Sequence, residues 1–208
     1  MSICSKKDLT IELSKLKNFD RPSLELEQYS TPPNLAAELV WSMALNGEVA
    51  GKVILDAGCG SGILGLGLLL MGAKKVFFVD KDQPAMAICG ENYAQLNQNY
   101  EISKAEFIIS DIALFDGIAD IVVQNPPFGT KLEHSDRKFL VKAFQTAPIV
   151  YSLHKYSTAP FVAALARDYH FKITDLWRWK FPLMAAFKFH EKPVKNIDVG
   201  LWRMEIIK

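Results

Sequence analysis

The tetrapeptide Asn125-Pro126-Pro127-Phe128 has the side chains and carbonyl groups needed to hold a planar amino group. It follows directly on the apolar run Ile121-Val122-Val123. Two successive prolines end a strand at a fixed point, because each locks φ and lacks a backbone N–H. The Asn125 amide oxygen and a free carbonyl could then accept the amino hydrogens, while the Phe128 ring offers a stacking face. Such an amino group belongs to a nucleic-acid base or to an amide.

A glycine-rich turn, Asp56-Ala57-Gly58-Cys59-Gly60-Ser61-Gly62, follows the first predicted strand and opens a helix. Glycines let the backbone pass close to a ligand, and the helix N-terminus offers free N–H groups. In the dinucleotide fingerprint the third glycine lies three positions after the second, and here that residue is Ile63. The pattern Asp-x-Gly-x-Gly-x-Gly instead resembles the S-adenosylmethionine loop of class I methyltransferases.

Two acidic residues end the next two predicted strands. Asp80 lies where a carboxylate can accept hydrogen bonds from both ribose hydroxyls. Asp111, followed by Ile112, lies beside the expected adenine position. An ordinary turn residue is the alternative interpretation of either aspartate taken alone. Because Asn125 ends the fourth strand, these residues would all lie outside the carboxyl ends of the strands, where ligands bind in such sheets.

Short apolar runs alternate with helical patterns along most of the chain. The predicted strands are 53–55, 76–79, 107–109, 121–123 and 149–151, and the predicted helices are 35–45, 63–71, 84–96, 137–147 and 158–168. Residues 171–181 and 197–207 predict an antiparallel pair at one end of the sheet. The result is an α/β, Rossmann-like sheet of seven mostly parallel strands, the last antiparallel, with helices on both faces. We expect one domain over residues 1–208, with a helical lead over 1–50.

Composition restricts the class of protein. Half of the 208 residues are hydrophobic, which suffices for one substantial core. The three cysteines share no metal-ligand spacing and no run approaches a membrane span, so we expect a soluble, intracellular protein without a metal site. Residues 1–136 hold 11 Lys and Arg against 18 Asp and Glu, whereas residues 137–208 hold 13 against 5. The basic second part could follow a phosphate backbone, or could simply be a solvated face.

The segment Thr31-Pro32 predicts a helix N-cap with proline in the first turn, leading into helix 35–45. Methyltransferases of amino groups that resemble this chain also place a Gln-x-x-Thr-Pro element over the methionine end of the cofactor. Gln28 and Thr31 are therefore candidate cofactor contacts.

Several elements together make the chain resemble the methyltransferase-like protein 5 family. They are Glu27-Gln28-Tyr29-x-Thr31, Asp56-x-Gly-Cys59-Gly, Asn125-Pro-Pro-Phe-Gly-Thr-Lys131, Tyr151-Ser-Leu-His-Lys155 and Phe187-Lys-Phe-His190. The resemblance implies methylation of the N6 amino nitrogen of one adenosine in small-subunit (18S) ribosomal RNA. It also implies a heterodimer with a small zinc-binding activator of the Trm112 type, and a location in the cytoplasm and nucleus.

The resemblance implies roles for individual residues. The implied catalytic residues are Asn125, Pro126, Pro127 and Phe128. The Asn125 side chain and the Pro126 carbonyl would each accept one amino hydrogen. The Phe128 ring would stack on the base. In-line methyl transfer then depends on positioning and charge placement and needs no strong general base. The implied cofactor contacts are Gln28, Thr31, Asp56, Gly58, Cys59, Gly60, Gly62, Asp80, Asp111, Ile112 and Asn125.

Basic residues near the fifth strand are candidate RNA contacts. They could hold the phosphates that flank a flipped base, and they are Lys131, His154, Lys155, Lys188 and His190. For His154, a hydrogen-bonded structural role is the alternative.

The predicted sheet order places strand Ala105–Ser110 at an edge, where Phe107 and Ile109 would be too apolar to face water. A strand from the activator could cover it, or the N-terminal lead could. Two other functions stay open at this point: methylation of a glutamine in a translation release factor, and RNA binding without catalysis.

Overall fold

A computed structural model gives the fold of the chain. It describes residues 3–19, 23, 28, 30–128, 135–183 and 195–207. The helices are α1 (Lys6–Ser14), α2 (Pro33–Leu45), α3 (Ile63–Leu70), α4 (Gln83–Asn99), α5 (Ser135–Thr146) and α6 (Ala159–Asp168). The strands are β1 (Val53–Ala57), β2 (Lys75–Asp80), β3 (Lys104–Ile109), β4 (Ile121–Gln124), β5 (Ile149–Lys155), β6 (Phe171–Leu183) and β7 (Lys195–Ile206).

The strands form one seven-stranded sheet in the order β3-β2-β1-β4-β5-β7-β6. The first five strands in the chain run parallel, whereas β7 is antiparallel to both β5 and β6. The predicted architecture is therefore confirmed. The strand order reverses between β1 and β4, and a ligand crevice opens at such a point, outside the carboxyl ends of the strands.

Alternation along each strand divides the interior into two apolar clusters. Ile54 belongs to the cluster under α1 to α4, and its neighbour Leu55 belongs to the cluster under α5 and α6. Successive side chains point to opposite faces of a sheet, so helices on both faces bury strands that read as continuous apolar runs. The core thus fixes the sheet, and the sheet fixes the positions of the loops at its carboxyl edge.

The N-terminal helix α1 has no counterpart among the helices predicted from the apolar pattern. Its Ser5 cap accepts a hydrogen bond from the Asp8 N–H at 3.1 Å, and Leu9 and Leu13 are fully buried against α2 and α3. The alternative that the N-terminal lead covers β3 does not hold for α1, which packs on these helices. No helix in the described part of the chain has the length and apolar character to span a membrane.

Candidate active site

The turn between β1 and α3 is built on backbone conformations that favour glycine. Gly58, Gly60 and Gly62 have φ values of 68°, 56° and 85°. A Cβ at Gly62 would lie 2.4 Å from Cys89 Sγ, so glycine is needed there for space as well. The N–H groups of Gly58 and Cys59 donate to the Val79 carbonyl at 2.8 and 3.1 Å, which ties the turn to β2.

Two carboxylates accept hydrogen bonds from backbone N–H groups in the glycine turn and in the helix that follows it. The fully buried Asp56 accepts a hydrogen bond from the Gly65 N–H at 2.8 Å, and Asp80 accepts one from the Gly60 N–H at 2.9 Å. Burial raises the pKa of Asp56 to about 7, against the lowering effect of the Gly65 N–H. Burial also raises the pKa of Asp80. The predicted meeting of the turn with Asp80 is present in the structure.

Asp111 lies next along the carboxyl edge. The Ser110 N–H donates to the Asp80 carbonyl at 3.0 Å, so the ends of β2 and β3 stay together. The Asp111 carboxylate accepts from the Ala113 N–H at 2.9 Å and forms an ion pair with Lys138. Burial raises the pKa of this carboxyl, but the Lys138 hydrogen bond and the Ala113 N–H together lower it below its ordinary value. Ile112 is buried beneath it.

The Asn125 side chain is held by a residue from the N-terminal segment. Its Nδ2 donates to Thr31 Oγ1 at 2.9 Å. Its Oδ1 is buried and has no hydrogen-bond partner among the described residues. A buried carbonyl oxygen without a donor is costly, so this atom is a ready acceptor for an incoming N–H.

Thr31 does not have the capping role that its sequence predicts. The N-cap of α2 is Pro32, no side chain caps the helix, and Pro33 occupies the first turn. The Thr31 hydroxyl instead accepts a hydrogen bond from Asn125 Nδ2. Thr31 thereby joins the amino-group site, and its predicted cofactor contact stays a prediction.

Gln28 is hydrogen-bonded to Asp82, just beyond the end of β2. Its Nε2 donates to Asp82 Oδ2 at 2.8 Å, and its Oε1 accepts from the Ser23 N–H at 2.8 Å. Asp82 is also bonded through its N–H to Asp80. Asp82 thus engages the Nε2 end of the Gln28 amide and Ser23 engages the Oε1 end. The predicted contact of Gln28 with the methionine end of the cofactor stays a prediction.

Phe128 is the last residue of the motif Asn125-Pro126-Pro127-Phe128. Its side chain is 6% exposed and meets Phe181 edge to face, with ring centroids 6.1 Å apart and an angle of 82° between the planes. The ring belongs to the core cluster under α1 to α4, so its place at the motif is fixed by packing. Stacking on a base stays a prediction.

Asn92 on α4 joins the N-terminal segment to the glycine turn. The residue is fully buried and accepts a hydrogen bond from the Lys17 N–H at 2.8 Å. Its Nδ2 donates to the carbonyls of Lys17 at 2.9 Å and of Ser61 at 3.0 Å. The ring of Phe19 reaches within 3.1 Å of the position a Cβ would take at Gly60. Sequence reasoning missed Asn92, although a polar residue on the inward stripe of a helix is a detectable signal.

The predicted RNA contacts divide into three groups. Lys155 is half-buried at the end of β5. Lys131, Lys188 and His190 lie outside the described residues. His154 is 1% exposed and its ring nitrogens face Asp136 and Ser152, so the prediction of a direct phosphate contact is wrong for this side chain. Helix α5 covers the face of β5 that carries it.

Comparisons with known proteins identify the family. Residues 36–171 match the family model of the methyltransferase small domain. Mettl5 of Drosophila melanogaster, named an rRNA N(6)-adenosine-methyltransferase, is 32% identical over 198 residues, which cover 93% of each chain. Protein MJ0284 of Methanocaldococcus jannaschii is 34% identical over 207 residues, which cover 96% of this chain and 94% of the relative. The crystal structure of PH1948 from Pyrococcus horikoshii matches with a TM-score of 0.87 at 38% identity, over 99% of this chain and 100% of that chain.

The chain belongs to the methyltransferase-like protein 5 family. It is therefore an S-adenosylmethionine-dependent methyltransferase, and the predicted enzyme class and cofactor are confirmed. The residues present fit that cofactor, because the three glycines of the turn have positive φ values that bring the backbone to the carboxyl edge, and Asp80 ends β2 beside them. Within the described ranges, no group of His, Cys, Asp and Glu side chains could hold a metal ion.

Proposed function

We propose that this methyltransferase modifies the N6 amino nitrogen of an adenosine in small-subunit (18S) ribosomal RNA. The observation that carries the proposal is the buried Asn125 Oδ1, which has no hydrogen-bond partner in the described part of the chain. The relatives named as rRNA N(6)-adenosine-methyltransferases supply the identity of the base. The excess of Lys and Arg in residues 137–208 supports a nucleic-acid substrate over a protein amide.

The geometry of Asn125 explains how the amino nitrogen becomes a nucleophile. Oδ1 accepts one amino hydrogen, while the Pro126 carbonyl accepts the other. Two acceptors on one side draw the nitrogen lone pair out of conjugation with the ring and direct it away from them. S-adenosylmethionine, when bound, supplies an electrophilic methyl group on a sulfonium. As positive charge grows on the nitrogen, the fixed dipole of Asn125 stabilises it without reorganisation.

Contacts around the site would hold the methyl donor and the amino group in fixed relative positions. Asp80 and the glycine turn would hold the ribose and methionine of the donor, and Thr31 keeps the Asn125 amide from rotating. In-line transfer between two bound groups depends on such positioning. The proton leaves the nitrogen after the methyl group has arrived, so no strongly basic side chain is needed.

We also propose that a zinc-binding activator of the Trm112 type adds a strand to β3 (Lys104–Ile109). On this edge strand Phe107 is 37% exposed and Ile109 is 55% exposed. The Phe107 ring stacks on Phe78 with centroids 5.2 Å apart, so the exposed apolar surface continues into the core. An added strand would satisfy the edge backbone groups and cover these side chains. The pair would act in the cytoplasm and nucleus.

A labelled-methyl assay tests the proposed function. The chain and its activator are incubated with methyl-labelled S-adenosylmethionine and either small-subunit ribosomal RNA or a release factor, with Asn125→Ala as control. We expect N6-methyladenosine in the digested RNA and none with the variant. Label in a glutamine of the release factor would contradict the base assignment. Cofactor binding without transfer to either substrate would contradict catalysis.

A further inference from the structure

A chain of polar side chains crosses the otherwise apolar face of the sheet under α5. Gln124 on β4 and Ser152 on β5 are register partners and are both 0% exposed. His154, two residues further along β5, is 1% exposed and meets Trp202 edge to face. Burying polar groups costs free energy unless they are hydrogen-bonded, so we expect these side chains to be bonded to one another.

Two hydrogen bonds join Gln124, Ser152 and His154, and an electrostatic contact extends the series to Asp136. Gln124 Nε2 donates to Ser152 Oγ at 2.9 Å, and Ser152 Oγ lies 2.6 Å from His154 Nε2. On the other side of the ring, His154 Nδ1 lies 3.7 Å from Asp136 Oδ2. Because Ser152 Oγ accepts from Gln124, its own hydrogen is available to His154 Nε2, which leaves the proton on Nδ1 facing Asp136.

The pKa shifts of His154 and Asp136 fit this arrangement. Burial lowers the pKa of His154, with Asp136 acting in the opposite direction, and this favours a neutral ring. Burial raises the pKa of Asp136, but the neighbouring His154 and nearby backbone N–H groups together bring it below its ordinary value. A neutral imidazole beside an ionised carboxylate is the state in which each contact in the series has one donor and one acceptor.

The two ends of this network adjoin the amino-group motif. Gln124 directly precedes Asn125. Asp136 lies in the first turn of α5, the first described element after Phe128. Two hydrogen bonds and the contact between His154 and Asp136 thus join the residue before the motif to the helix that follows it. Hydrogen bonds of this kind fix orientation more narrowly than apolar packing does.

We propose that Gln124, Ser152, His154 and Asp136 form a positioning network that holds Asn125 Oδ1 in line with the methyl donor. None of the four touches the reacting atoms. They act through the backbone on either side of the motif, and His154 is the member that connects the strand to the helix. The inference rests on the proposed function, since it gives the network the task of aligning the amino nitrogen for transfer.

Two variants and one matched control test the network in the 208-residue chain. The variants Ser152→Ala and His154→Phe each remove hydrogen bonds from the network. The control Tyr151→Phe removes a buried hydroxyl on the opposite face of the same strand, and that hydroxyl donates to Glu48. We expect the two network variants to lower kcat for RNA methylation about 10- to 100-fold, as a small misalignment does. The dissociation constant for S-adenosylmethionine, measured by calorimetry, stays within about twofold. Tyr151→Phe lowers the unfolding temperature but keeps kcat.

Amide hydrogen exchange supplies a readout that is independent of activity. Faster exchange at the Asn125 and Phe128 N–H groups in Ser152→Ala supports the network, and unchanged exchange overturns it. An equal loss of kcat in Tyr151→Phe would also overturn it, because a general loss of stability would then explain the effect. If the wild-type chain together with its activator transfers no methyl to RNA, the proposed function fails while the exchange result still decides the network. If His154→Phe does not fold, Ser152→Ala and Asp136→Asn carry the test.

Discussion

Asn125 and Thr31, 94 positions apart in the chain, are joined by one hydrogen bond of 2.9 Å between Nδ2 and Oγ1. The bond uses the donor end of the amide and leaves the acceptor end, Oδ1, buried and ready for a substrate N–H. Thr31 therefore sets which end of the Asn125 amide faces the amino group.

Replacing Thr31 by valine removes the acceptor for Asn125 Nδ2 at nearly constant volume. The unpaired buried N–H costs about 1–3 kcal/mol, and the amide loses its fixed orientation. We expect kcat to fall about 10- to 100-fold. Thr31→Ser, which keeps the hydroxyl, should restore most of it. A rise in the cofactor dissociation constant that matches the loss of kcat would instead assign Thr31 to the cofactor, as its sequence motif predicts.

Replacing Gly62 by alanine should damage the glycine turn. The new Cβ would lie 2.4 Å from Cys89 Sγ, at a backbone φ of 85°. We expect unfolding to become easier by about 1–3 kcal/mol and S-adenosylmethionine binding to weaken, as measured by denaturant unfolding and calorimetry. Adding Cys89→Ala should recover part of the loss, because it removes the clash but not the strained φ. The matched control is Gly90→Ala on α4, where a Cβ meets nothing within 4 Å and should be stabilising.

Asp56 makes stability depend on pH. Its pKa is raised from 3.8 to about 7 by burial, so the folded state binds the proton more tightly than the unfolded state. Its favourable contribution is therefore complete below about pH 4 and is lost as pH rises through 7, by up to about 1.4 kcal/mol per pH unit. Urea unfolding from pH 4 to pH 8 should show a smaller decrease in Asp56→Asn than in the wild type. The exposed Asp116→Asn should follow the wild-type curve, and equal slopes for Asp56→Asn would contradict the prediction.

The edge strand β3 offers a test of the proposed activator. Ile109→Lys places a charge on the apolar surface that the partner strand would cover, and we expect the complex to be lost in co-purification. Leu45→Lys is the control, since Leu45 is 76% exposed at the end of α2 and belongs to no strand. If both variants retain the activator equally, the partner does not bind at β3.

Most of the fold follows from the sequence because buried parallel strands read as short apolar runs. The same local reasoning placed Asp80, Asp111 and Asn125 at one sheet edge, since strand ends are read from neighbouring residues. It predicted a helical lead over 1–50 but not the bounds of α1, where Leu9 and Leu13 are the buried positions in a helix of nine residues. Two apolar residues are too few to identify a buried helix from the sequence. Their burial is evident only in the structure, where α2 and α3 cover them.

Three errors in the site arise from contacts that are distant in the chain. Thr31 follows the local rule for a helix cap, but Asn125 decides its partner. His154 is a candidate RNA contact in the sequence because it lies beyond the predicted strand 149–151, yet β5 continues to Lys155 and α5 buries the ring. Asn92 bonds a backbone 75 positions away, which no local pattern encodes.

The two edges of the sheet differ in character. At one end β6 exposes Lys172, Asp175, Arg178 and Lys180 beside its exposed apolar residues Ile173 and Leu176, and charges on an edge strand disfavour pairing with another chain. At the other end β3 exposes Phe107 and Ile109. A partner strand would thus add at β3, while the charges along β6 disfavour the addition of a further strand there. Association through β3 would therefore favour a closed pair over an extended series of sheets.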